Sequence, residues 1–321
     1  FTYTVTDGNA PDTATVTIVI TGANDSPIVS DQSVAIDENS AINTLVATAA
    51  ATDVDAGDSV SWSIVSGNTN GAFSINSTSG EVQVSKPLEI NFESNPSYSL
   101  TVRAADENGG IDTGVIAVAI NDLNETPTAN DAVFAVGEDA TSGTSVGIIA
   151  GSDPDAGDTR SWAILSGNTN GAFSLDASTG ELFVASPSTL DFETTPTYTL
   201  NVQIQDAGGL TESAVVAVNV SNVNEAPTTT GIADVAVNED SADVVIDLKT
   251  AFADAETPSA ALSYSIIGNS NPALFSGTPI VGGNLILKFA PNANGNAIVA
   301  VRASDPQGAF VTTAFNVVVT P

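Results

Sequence analysis

The sequence contains no cysteine, no histidine and no methionine, and only 6 of its 321 residues are basic. Without thiols there is no disulfide framework and no thiolate-bound metal. Without imidazole as well, zinc and copper lose their preferred ligands. Cys- or His-based nucleophilic chemistry is excluded, and no serine stands beside a plausible base, so an enzyme is not expected. The scarcity of Lys and Arg makes nucleic acid a poor partner, because phosphate contacts need cations. No apolar run approaches the ~20 residues that span a bilayer, so direct membrane insertion is not expected. The chain opens on FTYTVTD, an alternating pattern with no leader-like character, as expected of a segment excised from a longer protein.

What is present is acid. The chain carries 38 Asp and Glu for a net charge of −32, yet 42% of its residues are hydrophobic. That apolar content is too high for a disordered acidic tail, so the chain folds and the carboxylates decorate a folded body.

Self-similarity organises it. Trp62 and Trp162 are 100 residues apart, and Pro27, Pro127 and Pro227 follow the same spacing. The nonapeptide SGNTNGAFS at 66–74 recurs letter for letter at 166–174. DVDAGD at 53–58 becomes DPDAGD at 153–158, and NFESNPSYSL at 91–100 becomes DFETTPTYTL at 191–200. A long fixed period marks an array of like domains. The expected divisions are 1–24, the tail of a preceding repeat; 25–125 and 126–225, two close repeats; and 226–321, a divergent repeat. The last keeps NED at 238–240, DAE at 254–256 and RASD at 302–305.

Within a repeat the segments read as strands. Leu100, Val102 and Ala104 alternate with Thr101 and Arg103, and Leu200, Val202 and Ile204 alternate with Asn201, Gln203 and Gln205. Asn-Gly at 70–71 and 108–109 and Gly-Gly at 208–209 and 282–283 supply turns. Several short strands per hundred residues predict an all-β fold of antiparallel sandwiches in tandem. Trp62, Trp162, Tyr98 and Tyr198 fall in the inward phase and read as core rather than as ligand platforms. Phe183 replaces Gln83 in the outward phase and is the one aromatic candidate for a surface contact.

The carboxylates recur in a fixed order. A Glu follows the linker proline by about eleven residues: Glu38, Glu138 and Glu239. An acidic pair follows: Asp53 and Asp55, Asp153 and Asp155, Asp254 and Glu256. An acidic turn comes next, with Glu93 in one copy and Asp191 and Glu193 in the other. A strand then ends in Asp7, Asp106, Asp206 or Asp305. The linkers close the unit: Asn24–Asp25, then Asp122, Asn124 and Glu125, then Asn224 and Glu225. Two carboxylates ~4 Å apart repel by roughly 4 kcal/mol at an effective dielectric of 20. Six basic residues cannot neutralise these clusters, whereas a hard divalent cation can. Calcium accepts 6–8 oxygens from carboxylates, amides and carbonyls in irregular geometry. The DxDxGD string is not an EF-hand loop, since its twelfth position falls on Ile64 or Ile164. Paired carboxylates also serve glycoside hydrolysis, but here they recur with the domains.

This order resembles cadherin repeats, specifically the bacterial cadherin-like tandem repeats of giant secreted (RTX-type) adhesins. The resemblance implies Greek-key, cadherin/immunoglobulin-like sandwiches in an extended linear array with calcium at the junctions. It implies one ligand set of Glu38, Glu93, Asp122, Asn124 and Glu125 with Asp153, Asp155 and Asp206. A second is Glu138, Asp191, Glu193, Asn224 and Glu225 with Asp254, Glu256 and Asp305. A third, incomplete set is Asn24 and Asp25 with Asp53, Asp55 and Asp106. Asn91 and Asn222 stand where the family has acids, and the linkers are one residue shorter before proline.

The expected role is a secreted or cell-surface stalk or adhesin segment, stiffened by calcium ions held with neighbouring repeats of the same long chain. The rival expectation is a binding module for a cell-surface glycan or another copy of itself, including strand exchange through residues 1–24.

Overall fold

The structure, a computed structural model, describes residues 2–55 and 57–321. They form two compact units: residues 1–126 with 153–158, and residues 127–152 with 159–321.

The first unit opens on an antiparallel hairpin, β1 (Thr2–Thr6) and β2 (Pro11–Thr15), with both strands exposed along their length. The sandwich that follows contains β3 (Ile28–Val29), β4 (Gln32–Asp37), β5 (Leu45–Thr48), β6 (Ala51–Thr52), β7 (Ser61–Ser66), β8 (Phe73–Ile75), β9 (Glu81–Val84), β10 (Ser97–Ala105) and β11 (Ile111–Asn121). One sheet runs β4-β11-β10-β7 and the facing sheet β5-β9-β8, with β3 paired to β6. Period-two patterning sets the faces. Along β11, Gly114, Ile116, Val118 and Ile120 are buried, while Thr113, Val115 and Ala119 are exposed. Trp62 and Tyr98 lie in the core as their phase predicts. Phe73 meets Tyr98 edge-to-face at 4.9 Å, and the Tyr98 hydroxyl donates to the Glu89 carbonyl.

The first strand of the sandwich changes sheets. Residues 28–29 pair antiparallel with β6, whereas β4 runs parallel to β11. At the crossing, Asp31 Oδ1 accepts from Val115 N at 2.7 Å. This acid holds the switch by capping a backbone donor.

The second unit contains two sandwiches of the same plan. The first comprises β12 (Thr128–Ala129), β13 (Ala132–Gly137), β14 (Ser145–Ile148), β15 (Gly151–Ser152), β16 (Ser161–Ser166), β17 (Phe173–Leu175), β18 (Glu181–Val184), β19 (Thr197–Gln205) and β20 (Thr211–Ser221). The other comprises β21 (Thr228–Thr229), β22 (Val235–Asn238), β23 (Val244–Asp247), β24 (Phe252–Ala253), β25 (Ser263–Asn269), β26 (Phe275–Gly277), β27 (Ile280–Val281), β28 (Asn284–Phe289), β29 (Gly295–Ser304) and β30 (Phe310–Thr320). Their larger sheets run β13-β20-β19-β16 and β22-β30-β29-β25. Trp162 and Tyr198 are buried in one core. In the other, Tyr264 stands in place of tryptophan, half-buried, 5.7 Å from Phe252. Phe183 is half-buried between the buried Leu182 and Val184, so it offers less surface than its outward phase predicts.

The repeated nonapeptide has a backbone cause. Gly67 has φ +79° just past the end of β7, beyond its bulge against β10, and a Cβ there would lie 1.8 Å from the Ser99 carbonyl oxygen. Gly167 faces Thr199 in the same way, at 1.9 Å. Only glycine fits either place. The Asn68 and Asn168 side chains then close the loop by bonding both N–H and C=O of Phe73 and Phe173.

Where the two copies differ, volume is exchanged. Val34 and Ala47 of one become Phe134 and Gly147 of the other. A Cβ on Gly147 would sit 2.4 Å from the Phe134 ring. Gly147→Ala is therefore expected to destabilise by about 1–3 kcal/mol. Pairing it with Phe134→Val is expected to recover most of that loss, a non-additivity that a double-mutant cycle in denaturant reads. Additive losses would show that the two sites do not share space.

Candidate metal centres

Strand pairing places the early Glu. Because β4 runs parallel to β11, with Asp37 opposite Asn121, the next residue lands where β11 gives way to the linker. Glu38 N donates to Asn121 O at 3.1 Å, Glu138 N to Ser221 O at 3.2 Å and Glu239 N to Thr320 O at 2.7 Å. A residue eleven positions after the proline, or twelve in the divergent repeat, is thus delivered to the far end of the last strand.

The other acids come from turns that shape themselves. Asp55 N donates to Asp53 Oδ1 at 2.9 Å, and Asp155 N to Asp153 Oδ1 at 3.0 Å. Asn91 Oδ1 caps Ser94 N at 2.7 Å, and Asp191 Oδ1 caps Thr194 N at 2.8 Å. Asp106, at the end of β10, accepts from Asn108 N and Gly110 N; Asp305 accepts from Gly308 N and Ala309 N; Asp206 accepts from Leu210 N.

Four groups of carboxylates have oxygens within 4.8 Å of one another. In the first unit these are Glu38, Glu93, Asp122 and Glu125, and separately Asp153, Asp155 and Asp158. In the second unit they are Glu138, Asp191 and Glu193, and Glu138, Glu225 and Glu256. Shorter links join several of the remaining predicted residues, while Asp206 and Asp254 bond within their own turns. Asn24 Nδ2 donates to Asp106 Oδ2 at 3.1 Å, and Asn224 Nδ2 to Asp305 Oδ2 at 2.8 Å. Linker N–H groups donate to the acidic pairs: Asp25 to Asp55 at 2.7 Å, Glu125 to Asp155 at 2.9 Å and Glu225 to Glu256 at 3.2 Å. Asp254 Oδ1 accepts from Thr257 N at 2.7 Å. Asn124 donates to the Glu125 carbonyl at 3.4 Å.

The crowding shows in the acidities. Burial, then the charges of Glu38, Glu93 and Asp155, push Glu125 up to about 7 against the pull of the Asn39 amide. Contact with the Glu256 carboxyl, then burial and Glu138, push Glu225 up to about 7. Burial and neighbouring charges also raise Glu93 and Asp122. The strand-ending acids move the other way. The Asn224 amide and backbone N–H groups lower Asp305, and burial of Asp106 is outweighed by Asn24 and its own turn.

The residues fit a hard cation by a test independent of charge. Asp53 Oδ2, Glu125 Oε2, Asn224 Oδ1, Asp254 Oδ2 and Glu256 Oε2 are buried without a hydrogen-bond partner. Such oxygens cost free energy unless something compensates them. Ion pairs Lys249–Asp247 and Lys288–Asp243 lie outside the clusters. All five of these atoms are oxygens, the donor calcium takes; the one nitrogen in the same condition among the described residues, Arg302 Nε, belongs to none of the clusters.

Sequence reasoning missed three features. Asp31, Asp131 and Asp234 also recur, but they cap Val115 N, Val215 N and Asn316 N in the sheets. Asn39, which supports Glu125 at 2.9 Å, is Asp139 and Asp240 in the other repeats, so recurrence could not reveal it. Asp158 joins Asp153 and Asp155 although the divergent repeat has no counterpart. The acid count of the outer group is also conserved by exchange: Asn91 with Asp122 in one repeat, Asp191 with Asn222 in the next. The Asn222 amide there donates to Glu193 at 2.7 Å.

Antiparallel sandwiches whose first strand crosses between sheets, with acids gathered where the last strand leaves, define an immunoglobulin-like β-sandwich repeat. The Cadherin domain family matches residues 32–121 and 132–221, and the chain belongs to that family. Protocadherin Fat 4 of Mus musculus is 35% identical over 228 residues, 66% of this chain and 4% of that protein. Protein dachsous of Drosophila melanogaster is 31% identical over 246 residues, 70% of this chain and 7% of that protein. The chain therefore spans a small fraction of the relatives it matches. The crystal structure of mouse cadherin-23 EC22-24 superimposes with a TM-score of 0.67 at 21% identity, covering 92% of this chain and 99% of that one. The protocadherin GammaB4 extracellular domain gives 0.70 at 22% identity, covering 97% and 52%. At these identities the structural likeness establishes the fold alone. Among the described residues no helix is long and apolar enough to cross a membrane.

Proposed function

We propose that the chain is an extracellular stalk or adhesion segment whose repeats, divided at 25, 126 and 226, are stiffened by calcium held at the linkers. The observation that carries this reading is the set of buried, partnerless oxygens on linker residues Glu125 and Asn224 and on the acidic pairs at 53, 254 and 256. The ligand sets are those of the sequence: Glu38, Glu93, Asp122 and Glu125 with Asp153 and Asp155; Glu138, Asp191, Glu193, Asn224 and Glu225 with Asp254, Glu256 and Asp305; and Asn24 and Asp25 with Asp53, Asp55 and Asp106. Asn124 and Asp206 take their roles by analogy with Asn24 and Asp106. A secreted or surface-anchored bacterial adhesin as the setting is carried by the sequence resemblance; the animal relatives support the repeat and an adhesive role, not that setting.

Small-angle X-ray scattering with calcium and with excess chelator tests the reading. An extended particle with calcium that becomes shorter and more flexible in chelator supports it. Dimensions independent of calcium would reduce the acids to turn chemistry and solubility.

Self-association is the second reading: wherever no preceding sandwich covers the β1–β2 hairpin, its exposed strands are open to pairing. An isolated two-stranded hairpin is marginal in water, and another copy could complete it. Native mass spectrometry showing monomer alone would remove this reading.

A further inference from the structure

Glu38 is the most deeply buried acid of the chain, 1% exposed, and both of its oxygens are engaged. Oε2 accepts from Phe92 N at 3.0 Å and Oε1 from Leu123 N at 2.7 Å. Glu138 repeats the arrangement, with Oε2 accepting from Phe192 N at 2.7 Å and Oε1 from Val223 N at 2.5 Å. One carboxylate thus bridges the acidic turn and the linker, segments about thirty residues apart in sequence.

The residues gripped are telling. Phe92 lies between Asn91 and Glu93, and Leu123 between Asp122 and Asn124. Phe192 lies between Asp191 and Glu193, and Val223 between Asn222 and Asn224. In each segment the carboxylate takes the central N–H, while the flanking residues carry the oxygen-bearing side chains. Phe92 and Phe192 also pack against their sandwich cores, so the turn is fixed on one side by apolar contact and on the other by Glu38 or Glu138. The linker is held a second time two residues on, where Glu125 N and Glu225 N donate to Asp155 and Glu256.

We propose that Glu38 and Glu138 are positioning residues that assemble the acidic turn and the linker before any cation arrives. A carboxylate that only ligated metal would leave the N–H groups of residues 92 and 123 to solvent in the metal-free protein. A charged acceptor bonded to two backbone donors holds them instead, because hydrogen bonds to an ionised group are short and strong. Ordering the turn and linker in advance removes part of the entropy that binding would otherwise have to overcome. This inference rests on the calcium reading for its purpose, but not for its geometry.

Amide hydrogen exchange of the whole chain in excess chelator tests it, resolved by NMR at residues 92, 123, 192 and 223. In the unaltered chain all four amides are expected to exchange at least about tenfold more slowly than unstructured amides. Glu38→Ala is expected to release Phe92 and Leu123 while Phe192 and Val223 stay protected as internal controls. Glu38→Gln, which keeps one acceptor oxygen, is expected to release one of the two. Asp122→Asn is expected to weaken calcium binding and leave the chelated protection at 92 and 123 unchanged. Unprotected amides in the unaltered chain, or protection that survives Glu38→Ala, would overturn the proposal even where calcium binds. Should Glu38→Ala fail to fold, the four amides of the unaltered chain still decide the question. Protected amides in a chain that binds no calcium by titration would uphold the tie and overturn the calcium reading instead.

Discussion

Adding about 10 mM calcium to the chelated chain is expected to stabilise it by about 2.7 kcal/mol for each site that binds at about 0.1 mM. The figure follows from mass action at a hundredfold excess over the dissociation constant, for a ligand that the unfolded chain does not hold. Unfolding disperses each cluster, since Glu38, Glu93 and Asp122 are distant in sequence and meet only through the pairing of β4 with β11 and the docking of the turn at Phe92. Several sites would add, so the denaturation midpoints are expected to rise steeply as chelator is replaced by calcium. The double substitution Asp153→Asn with Asp155→Asn is expected to abolish the gain at its own site while changing the chelated midpoint little, because like charges there repel in the absence of metal. Asp131→Ala is the contrasting case. It removes the acceptor of Val215 N, so it is expected to cost about 1–2 kcal/mol with or without calcium. Equal loss from both variants in chelator and in calcium would mean that the acidic pair is structural.

That contrast also marks how far the sequence could be read. The hundred-residue period, the strand phase and the inward placement of Trp62, Tyr98 and their counterparts were all legible, because burial of alternate residues leaves a direct trace in composition. The fixed order of the acids was legible for a different reason: each recurs with the repeat that carries it. Asp31, Asp131 and Asp234 recur just as faithfully, yet they cap sheet donors, and recurrence alone does not separate a capping acid from a metal-facing one. The parallel pairing of β4 with β11 was hidden because alternation identifies a strand and not its neighbour. So was the double grip of Glu38, whose partners at 92 and 123 are apolar residues contributing only their backbone N–H. The exchange of Val34 and Ala47 for Phe134 and Gly147 became readable only once both residues were seen to fill one space.

Acidification is expected to move the metal-free and calcium-loaded proteins in opposite directions. Glu125 and Glu225 both stand at about 7, above the ordinary glutamate value of 4.5. A carboxyl whose folded value is raised contributes stability that is fully present below 4.5 and is lost as pH rises through 7. In chelator, these two groups therefore favour the folded chain more at pH 5 than at pH 8. Calcium requires the ionised form, so binding expels the proton each holds. Affinity at each site is then expected to fall about tenfold for every pH unit below 7 while that proton remains bound, near thirtyfold by pH 5.5. Isothermal titration in two buffers of different ionisation enthalpy reads the protons released, and midpoints across pH 5–8 read the stability. Glu125→Gln removes one titrating group, so it is expected to flatten the pH dependence at that site while lowering affinity at pH 8. Calcium binding with no proton release between pH 6 and 7, together with parallel stability profiles in calcium and chelator, would mean that neither glutamate faces the ion. Release confined to one site would assign the ion to Glu125 or to Glu225 alone, with the matching Gln variant deciding which.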